Sequence, residues 1–245
     1  MRGETITFDG HRLNDRFFVG EVAVGMPEYA PRIEDREFAD GSRVRGMRLG
    51  SPEVSVQLVA KPIYGRAARE TLSELVSWLH VDGPKQLSLS SDGGLWRMCV
   101  PIGAPQIGDN EWNDRVTVTF RQVEPALYGE RHEVTVPSGA AITFVVGGDY
   151  PTLPSISTDD ATRDSTTRQW GVRLDDGNVM RVTIPVSVTS TVEMDCLWRT
   201  CLVNGATTTP TLLSDWFVLE PGAHVVRNDM GAGDCTLSWY ERWHR

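Results

Sequence analysis

Lysine is nearly missing from this chain of 245 residues: it stands only at Lys61 and Lys85, and 24 basic residues face 33 acidic ones for a formal charge of −9. A nucleic-acid clamp needs a basic face to release counterions from phosphates, so this balance argues against one. It argues equally against a polybasic membrane anchor. The dominance of arginine over lysine reads as coding bias. Long apolar runs are absent as well: no window approaches the roughly 18 uninterrupted apolar residues of a membrane span, and the start, MRGETITFDG, carries charge where a signal peptide needs an apolar stretch. The expectation is a protein made and folded in the cytoplasm. Cysteine is sparse, at Cys99, Cys196, Cys201 and Cys235, too few for a disulfide scaffold. Buried free thiols are expected, with a Cys196–Cys235 bridge as the alternative.

Catalytic signatures are also lacking. There is no Gly-x-Ser-x-Gly elbow, and the five histidines, His11, His80, His132, His224 and His244, are scattered without a cysteine partner in any local motif. Zinc spacings of the His-x-x-x-His or Cys-x-x-Cys kind do not occur. The carboxylate pairs Asp159–Asp160 and Asp175–Asp176 lie in turn-like sequence, where aspartate caps the backbone. Adjacent carboxylates on a strand would also point to opposite faces, not across a cleft. Gly147-Gly148-Asp149 and Gly231-Ala232-Gly233-Asp234 do not sit between a strand and a helix, as a phosphate loop would, and they read as hairpin turns. The sequence therefore predicts no enzyme, no catalytic, cofactor-binding or metal-binding residues, and no cofactor; it singles out no ligand-binding residue.

What is present is a folding composition, 40% hydrophobic and 23% charged, of a length that suits two domains or one large all-β domain. One helix is predicted over Ala67–Leu79, with Leu72, Leu75, Val76 and Leu79 on its apolar face. Around it, Ser55–Ala60, Leu95–Val100 and Arg115–Phe120 alternate with the period of a strand, and Asp-Gly pairs at 9–10, 40–41 and 82–83 mark turns. The first half thus reads as an antiparallel sheet with one helix laid on it. Pro125 and Gly129 place a domain boundary there, giving residues 1–127 and 128–245.

The second half shows no helix. Its strand candidates are Glu133–Val136, Ala141–Val146, Pro154–Thr158, Gln169–Leu174, Val179–Ile184, Val186–Cys196, Thr200–Val203, Trp216–Leu219, His224–Arg227 and Thr236–Trp243, with a tight hairpin at Asp175–Asn178. Such runs with Gly or Pro turns predict a β-sandwich or jelly roll. This half is the more acidic, with 9 basic and 15 acidic residues against 15 and 18 before it. It also holds five of the eight tryptophans, Trp170, Trp198, Trp216, Trp239 and Trp243. They suit either sugar stacking or a core and subunit interface.

Two stretches are more specific. Val118–Gly129, a strand running into Pro125 and a Tyr128-Gly129 exit, resembles the close of the amino-terminal domain in siphophage distal tail proteins (Dit). Asn204-Gly205, the Ser214–Gly222 stretch with its Leu219-Glu-Pro-Gly222 turn and the terminal Cys235–Trp243 strand resemble, in that order, the carboxy-terminal part of the same family. His224 departs from it, standing where the family commonly has asparagine. The resemblance implies a mainly β protein. Its amino-terminal domain is an antiparallel β-sandwich with one helix, like a tail-tube protein, and forms a ring; its carboxy-terminal domain is a galectin-like β-sandwich on the outside. It further implies a structural virion protein of a long non-contractile tail, located at the tail tip and assembled in the host cytoplasm. A hexameric ring of it joins the tail tube to the adsorption apparatus and lets DNA pass. The implied partners are its own copies, the tail tube protein, the tail hub or tail-associated protein and the tape measure protein, with no specific nucleic-acid binding and no membrane. A carbohydrate-binding or receptor-contacting tail-tip module is the alternative.

Overall fold

The computed structural model describes residues 3–35, 40, 42–62, 68–107, 115–185 and 189–244. The chain forms two compact units, one running up to Tyr128 and one spanning Gly129–Trp243. Gly41 of the expected Asp40-Gly41 turn and the Val186–Val188 start of one expected strand lie outside the described residues.

In the first unit the strands are β1 (Ile6–Phe8), β2 (His11–Arg12), β3 (Phe17–Val24), β4 (Tyr29–Asp35), β5 (Ser42–Leu49), β6 (Glu53–Ala60), then α1 (Ala68–Leu79), β7 (Lys85–Leu89), β8 (Trp96–Ile107), β9 (Arg115–Gln122) and the start of β10 (Leu127–Val136). All the strands but β4 and β5 join one antiparallel sheet, in the order β2-β1-β7-β8-β9-β6-β3 with the start of β10 also paired to β8. Alternation decides its faces: β6 points Val54, Val56, Leu58 and Ala60 inward and Glu53, Ser55, Gln57 and Val59 away. These residues pack with Ile6, Phe8, Phe17, Leu75, Leu87, Val116, Val118 and Phe120 into one core. Phe8 and Phe120 meet with ring centroids 4.9 Å apart.

The helix buries Leu75, with Leu72 and Leu79 partly covered beside it, but Val76 is exposed. One residue past Leu75 is a 100° rotation about the helix axis, which carries Val76 off the buried stripe; Ala68, Thr71 and Trp78 complete that stripe instead. Strand β8 continues past Val100: Pro101 stays in register opposite Phe120, and a register shift between Ile102 and Gln106 takes up Pro105 in a bulge against β9. Asp9 and Gly10 both take positive φ, as the turn from β1 to β2 requires. The Asp82-Gly83 pair is only a bend.

The second unit contains the rest of β10, β11 (Ala141–Val146), β12 (Ser155–Ala161), β13 (Gln169–Leu174), β14 (Val179–Thr183), β15 (Ser190–Asp195), β16 (Thr200–Val203), β17 (Ala206–Thr207), β18 (Gly222–Met230) and β19 (Cys235–Trp243). Two sheets face each other here: β17-β16-β15-β12-β19-β10 and β11-β18-β13-β14. Their inner faces enclose Phe144, Trp170, Met180, Val192, Phe217, Val226, Leu237 and Trp239, the arrangement of a sandwich.

Three expectations about this half need correction. Gly147–Asp149 and Gly231–Asp234 are not hairpin turns: β11 and β18 belong to the four-stranded sheet while β12 and β19 belong to the other, so both glycine segments are corners between sheets. Their glycines are there for close approach, since a Cβ on Gly148 would lie 2.2 Å from the Arg242 carbonyl oxygen. Trp216–Leu219 is not a strand; it makes a single bridge, Leu219 with Thr152, each N–H donating to the other's carbonyl at 2.8 Å. Pro151 and Pro154 flank Thr152 and lack the donors that would extend a ladder. Strand β10 runs through Gly129 without a break.

The cysteines are free and buried. β12 lies between β15, which leads to Cys196, and β19, which begins with Cys235, so no bridge joins them. Burial pushes Cys99, Cys196 and Cys235 up to about 12 and Cys201 up to about 11. With folded values raised, the thiols favour the fold fully below the free-thiol range near pH 9, and their contribution is lost as pH climbs from there toward 12. Two outcomes are expected: no reaction of native protein with Ellman's reagent at pH 8 but four thiols after denaturation, and a melting temperature that falls above pH 9. Rapid native labelling would contradict the burial.

Candidate assembly surfaces

The hairpin of β4 and β5 pairs with no other described strand. Its register runs Tyr29 with Leu49, Pro31 with Met47, Arg32 with Gly46, then Ile33 with Val44, leaving Arg45 as an extra residue. That bulge matters because strand side chains alternate between faces. Without it Val44, three residues from Met47, would point the opposite way. With it Tyr29, Pro31, Ile33, Val44, Met47 and Leu49 share one face, while Ala30, Arg32, Glu34, Arg43 and Arg48 share the other. Arg45 pairs with Glu34. The apolar face is open to solvent: Tyr29, Ile33, Val44 and Met47 are 68%, 58%, 59% and 61% exposed. A lone two-stranded hairpin is marginal in water, and an exposed apolar face of this size marks an interaction surface. The sequence carries this signal as period-two alternation in Ser42-Arg-Val-Arg-Gly-Met-Arg-Leu49, broken in phase at Arg45.

Near the hairpin's root a cavity of about 220 Å³ is lined by Val24, Met26, Pro27, Pro52, Pro125 and Leu127, with Arg97 and Gln122 in its wall. Arg97 is buried and grips the equally buried Asp92 with both terminal nitrogens, Nη2 donating to Oδ1 at 3.1 Å. The segment that resembles the Dit boundary is built around the same place. Gln122 donates from Nε2 to the Ala126 carbonyl at 2.9 Å, the Tyr128 hydroxyl donates to Glu124, and the Tyr128 ring stacks on Trp96 at 4.4 Å.

In the second unit, Ser155, Ser157 and Asp159 of β12, Glu193 and Asp195 of β15, and Thr200 and Leu202 of β16 line an open cleft of about 470 Å³. Asp195 is already occupied as a turn cap, Oδ1 accepting from the Leu197 and Trp198 N–H groups at 2.8 and 2.9 Å. Among the described residues no group of three His, Cys, Asp or Glu side chains could hold a metal ion. Asp159 and Asp175 are not brought together: Asp159 lies on β12, and Asp175 lies at the turn that joins β13 and β14 in the opposite sheet. Asp176 caps that turn by accepting from the Asn178 N–H at 2.8 Å.

Three of the histidines likewise serve local structure. His11 stacks on Trp78 at 4.8 Å, and His132 Nε2 lies 3.2 Å from Glu241 Oε1. A ring nitrogen of His224 is 2.7 Å from the Glu220 carbonyl, bracing the Pro221-Gly222 turn. Of the five tryptophans in this half, Trp170 and Trp239 are core and Trp216 packs against it, whereas Trp198 is exposed. Asn204 and Gly205 both take positive φ in the turn between β16 and β17.

Residues 147–243 match the family model described as the siphovirus-type tail component, C-terminal domain. Among solved structures, the chain resembles the Dit protein of phage SPP1, described as a paradigm of the hub adsorption apparatus in phages infecting Gram-positive bacteria. The identity is 20% and the TM-score 0.69, over 98% of this chain and 99% of that one. It also resembles chains of the phage p2 baseplate in its activated conformation: one with strontium, at 8% identity and TM-score 0.56, and one with calcium, at 9% and 0.54. Both matches cover 97% of this chain and 98% of the other. No curated protein matches. Residues 147–243 thus carry the C-terminal domain of the siphovirus-type tail components, and the mainly β fold of the chain is similar from end to end to that of a Dit structure.

Proposed function

We propose that six copies of this chain close into a ring at the distal end of a long non-contractile phage tail, joining the tail tube to the adsorption apparatus around a channel for DNA. The observation that carries this reading is the β4–β5 hairpin, whose apolar face is exposed and which pairs with no other described strand of its own chain. In this reading the face meets a different surface on a neighbouring copy, a head-to-tail contact, and such contacts close into rings when the rotation permits. In this reading residues 1–127 form the ring and the sandwich of residues 128–245 sits outside it. The tube protein, the hub protein and the tape measure protein are the neighbours along the axis. A chain of net charge −9 suits a channel wall that must let DNA slide without gripping its phosphates. The role is structural and not enzymatic.

Gold-labelled antibody against the chain, applied to intact virions, tests the location. Label confined to the distal tail tip is expected. Label spread along the tube, or on the capsid alone, would overturn the assignment.

A further inference from the structure

The second unit holds two leucines out in water on a turn built to keep them there. Thr211–Ser214 is closed by the Ser214 N–H donating to the Thr211 carbonyl at 2.9 Å, which leaves Leu212 and Leu213 at its two central positions. They are 104% and 71% exposed. The turn is fastened to β14, the edge strand of the four-stranded sheet, by the Thr211 and Asp215 N–H groups donating to the Arg181 and Val179 carbonyls at 3.0 and 2.8 Å. The Ser214 hydroxyl adds a clamp, donating to the Arg181 carbonyl at 2.9 Å and accepting from the Arg181 N–H at 3.1 Å. The segment thereby covers a sheet edge, which explains its polar and backbone groups. It does not explain the leucines, because central turn positions favour Pro, Asp, Asn, Ser and Gly. A local rule broken without a gain in packing points to function, and a rigid mount lowers the ordering cost of binding.

We propose that Leu212 and Leu213 form a docking knob for an apolar cleft with a basic rim on a different polypeptide of the same tail; this rests on reading the chain as a tail component. Charge sets the rim. Residues 128–245 carry 15 acidic and 9 basic residues, and the only charge in Thr208–Asp215 is Asp215, so a basic surround is attracted and an anionic lipid surface is not. Two leucines are also too few to hold a protein on a bilayer unaided.

The test places a photo-crosslinking benzoyl-phenylalanine at position 212 in tails assembled in infected cells. The expected adduct joins this position to another virion polypeptide, at a segment rich in apolar and basic residues. In addition, Leu212→Asp with Leu213→Asp lowers that polypeptide's share of purified tails at least tenfold while the variant chain melts within a few degrees of the original. An adduct to a second copy of this chain, no adduct in tails that contain the chain, or unchanged composition of the double-variant tails would overturn the knob. Leucine-dependent flotation of the full chain with phosphatidylglycerol vesicles would assign it to lipid instead. Absence of the chain from tails altogether is a separate result, which removes the tail reading itself.

Discussion

Replacing Asp92 with alanine should unfold the first unit far more readily, at a cost of about 3–5 kcal/mol, the range for leaving one member of a buried ion pair without its partner. Both side chains are essentially withdrawn from solvent, so water cannot compensate the stranded Arg97 guanidinium. The pair is held by two hydrogen bonds from one guanidinium to one carboxylate, a geometry only arginine supplies. Changing both residues, Asp92→Leu with Arg97→Met, should restore most of the loss, because an apolar pair of similar bulk has no charge to desolvate. Urea unfolding followed by tryptophan fluorescence measures this, since Trp96 is the immediate chain neighbour of Arg97 and stacks on Tyr128. A loss below about 1 kcal/mol would mean that the pair is hydrated in solution. The chain has two units and need not unfold in one step, so the comparison belongs to the transition that Trp96 reports.

The second large effect concerns assembly and leaves the fold of the chain alone. Val44→Asp with Met47→Asp puts two charges on the uncovered face of the hairpin, where neither residue packs against a core. Stability should change by about 0.5 kcal/mol or less, as for other exposed substitutions, yet a ring that buries this face should dissociate. Burying a charge without a partner costs several kcal/mol, and each copy would carry two. In solution the variant should sediment as a single chain at concentrations where the original forms rings. Arg48→Ser, on the opposite face of the same hairpin, should leave the rings intact. Equal disruption by both variants would show that the hairpin acts by its rigidity and not by its apolar face.

How far these features could be read in advance depended on what fixes each of them. Strands β6 and β9 and the helix were legible because they pack on a core, which imposes a clean period of two or 3.6. Asn204-Gly205 was legible because only residues that tolerate positive φ close that turn. The reach of β8 past Pro105 was not, since it depends on a bulge whose place is set by the partner strand β9. Nor was the sheet-to-sheet path of the glycine corners, which a local pattern of glycines cannot tell from a hairpin. The surfaces carrying the assembly argument were the least legible. In the hairpin one extra arginine shifts the phase of the alternation, and Leu212-Leu213 attracts notice only once its exposure is known. The tryptophan-rich composition of the second half pointed as readily to a sugar surface as to a core. Burial decided for the core at Trp170 and Trp239.

The central claim is that the chain closes into a ring of six, and the mass of the full-length protein in solution tests it most directly. The account predicts, at micromolar and higher concentration, a species of six times the 27.2 kDa chain that is lost in the Val44→Asp, Met47→Asp variant. A chain that stays monomeric at every concentration, in tails whose distal end shows no sixfold density, would contradict it.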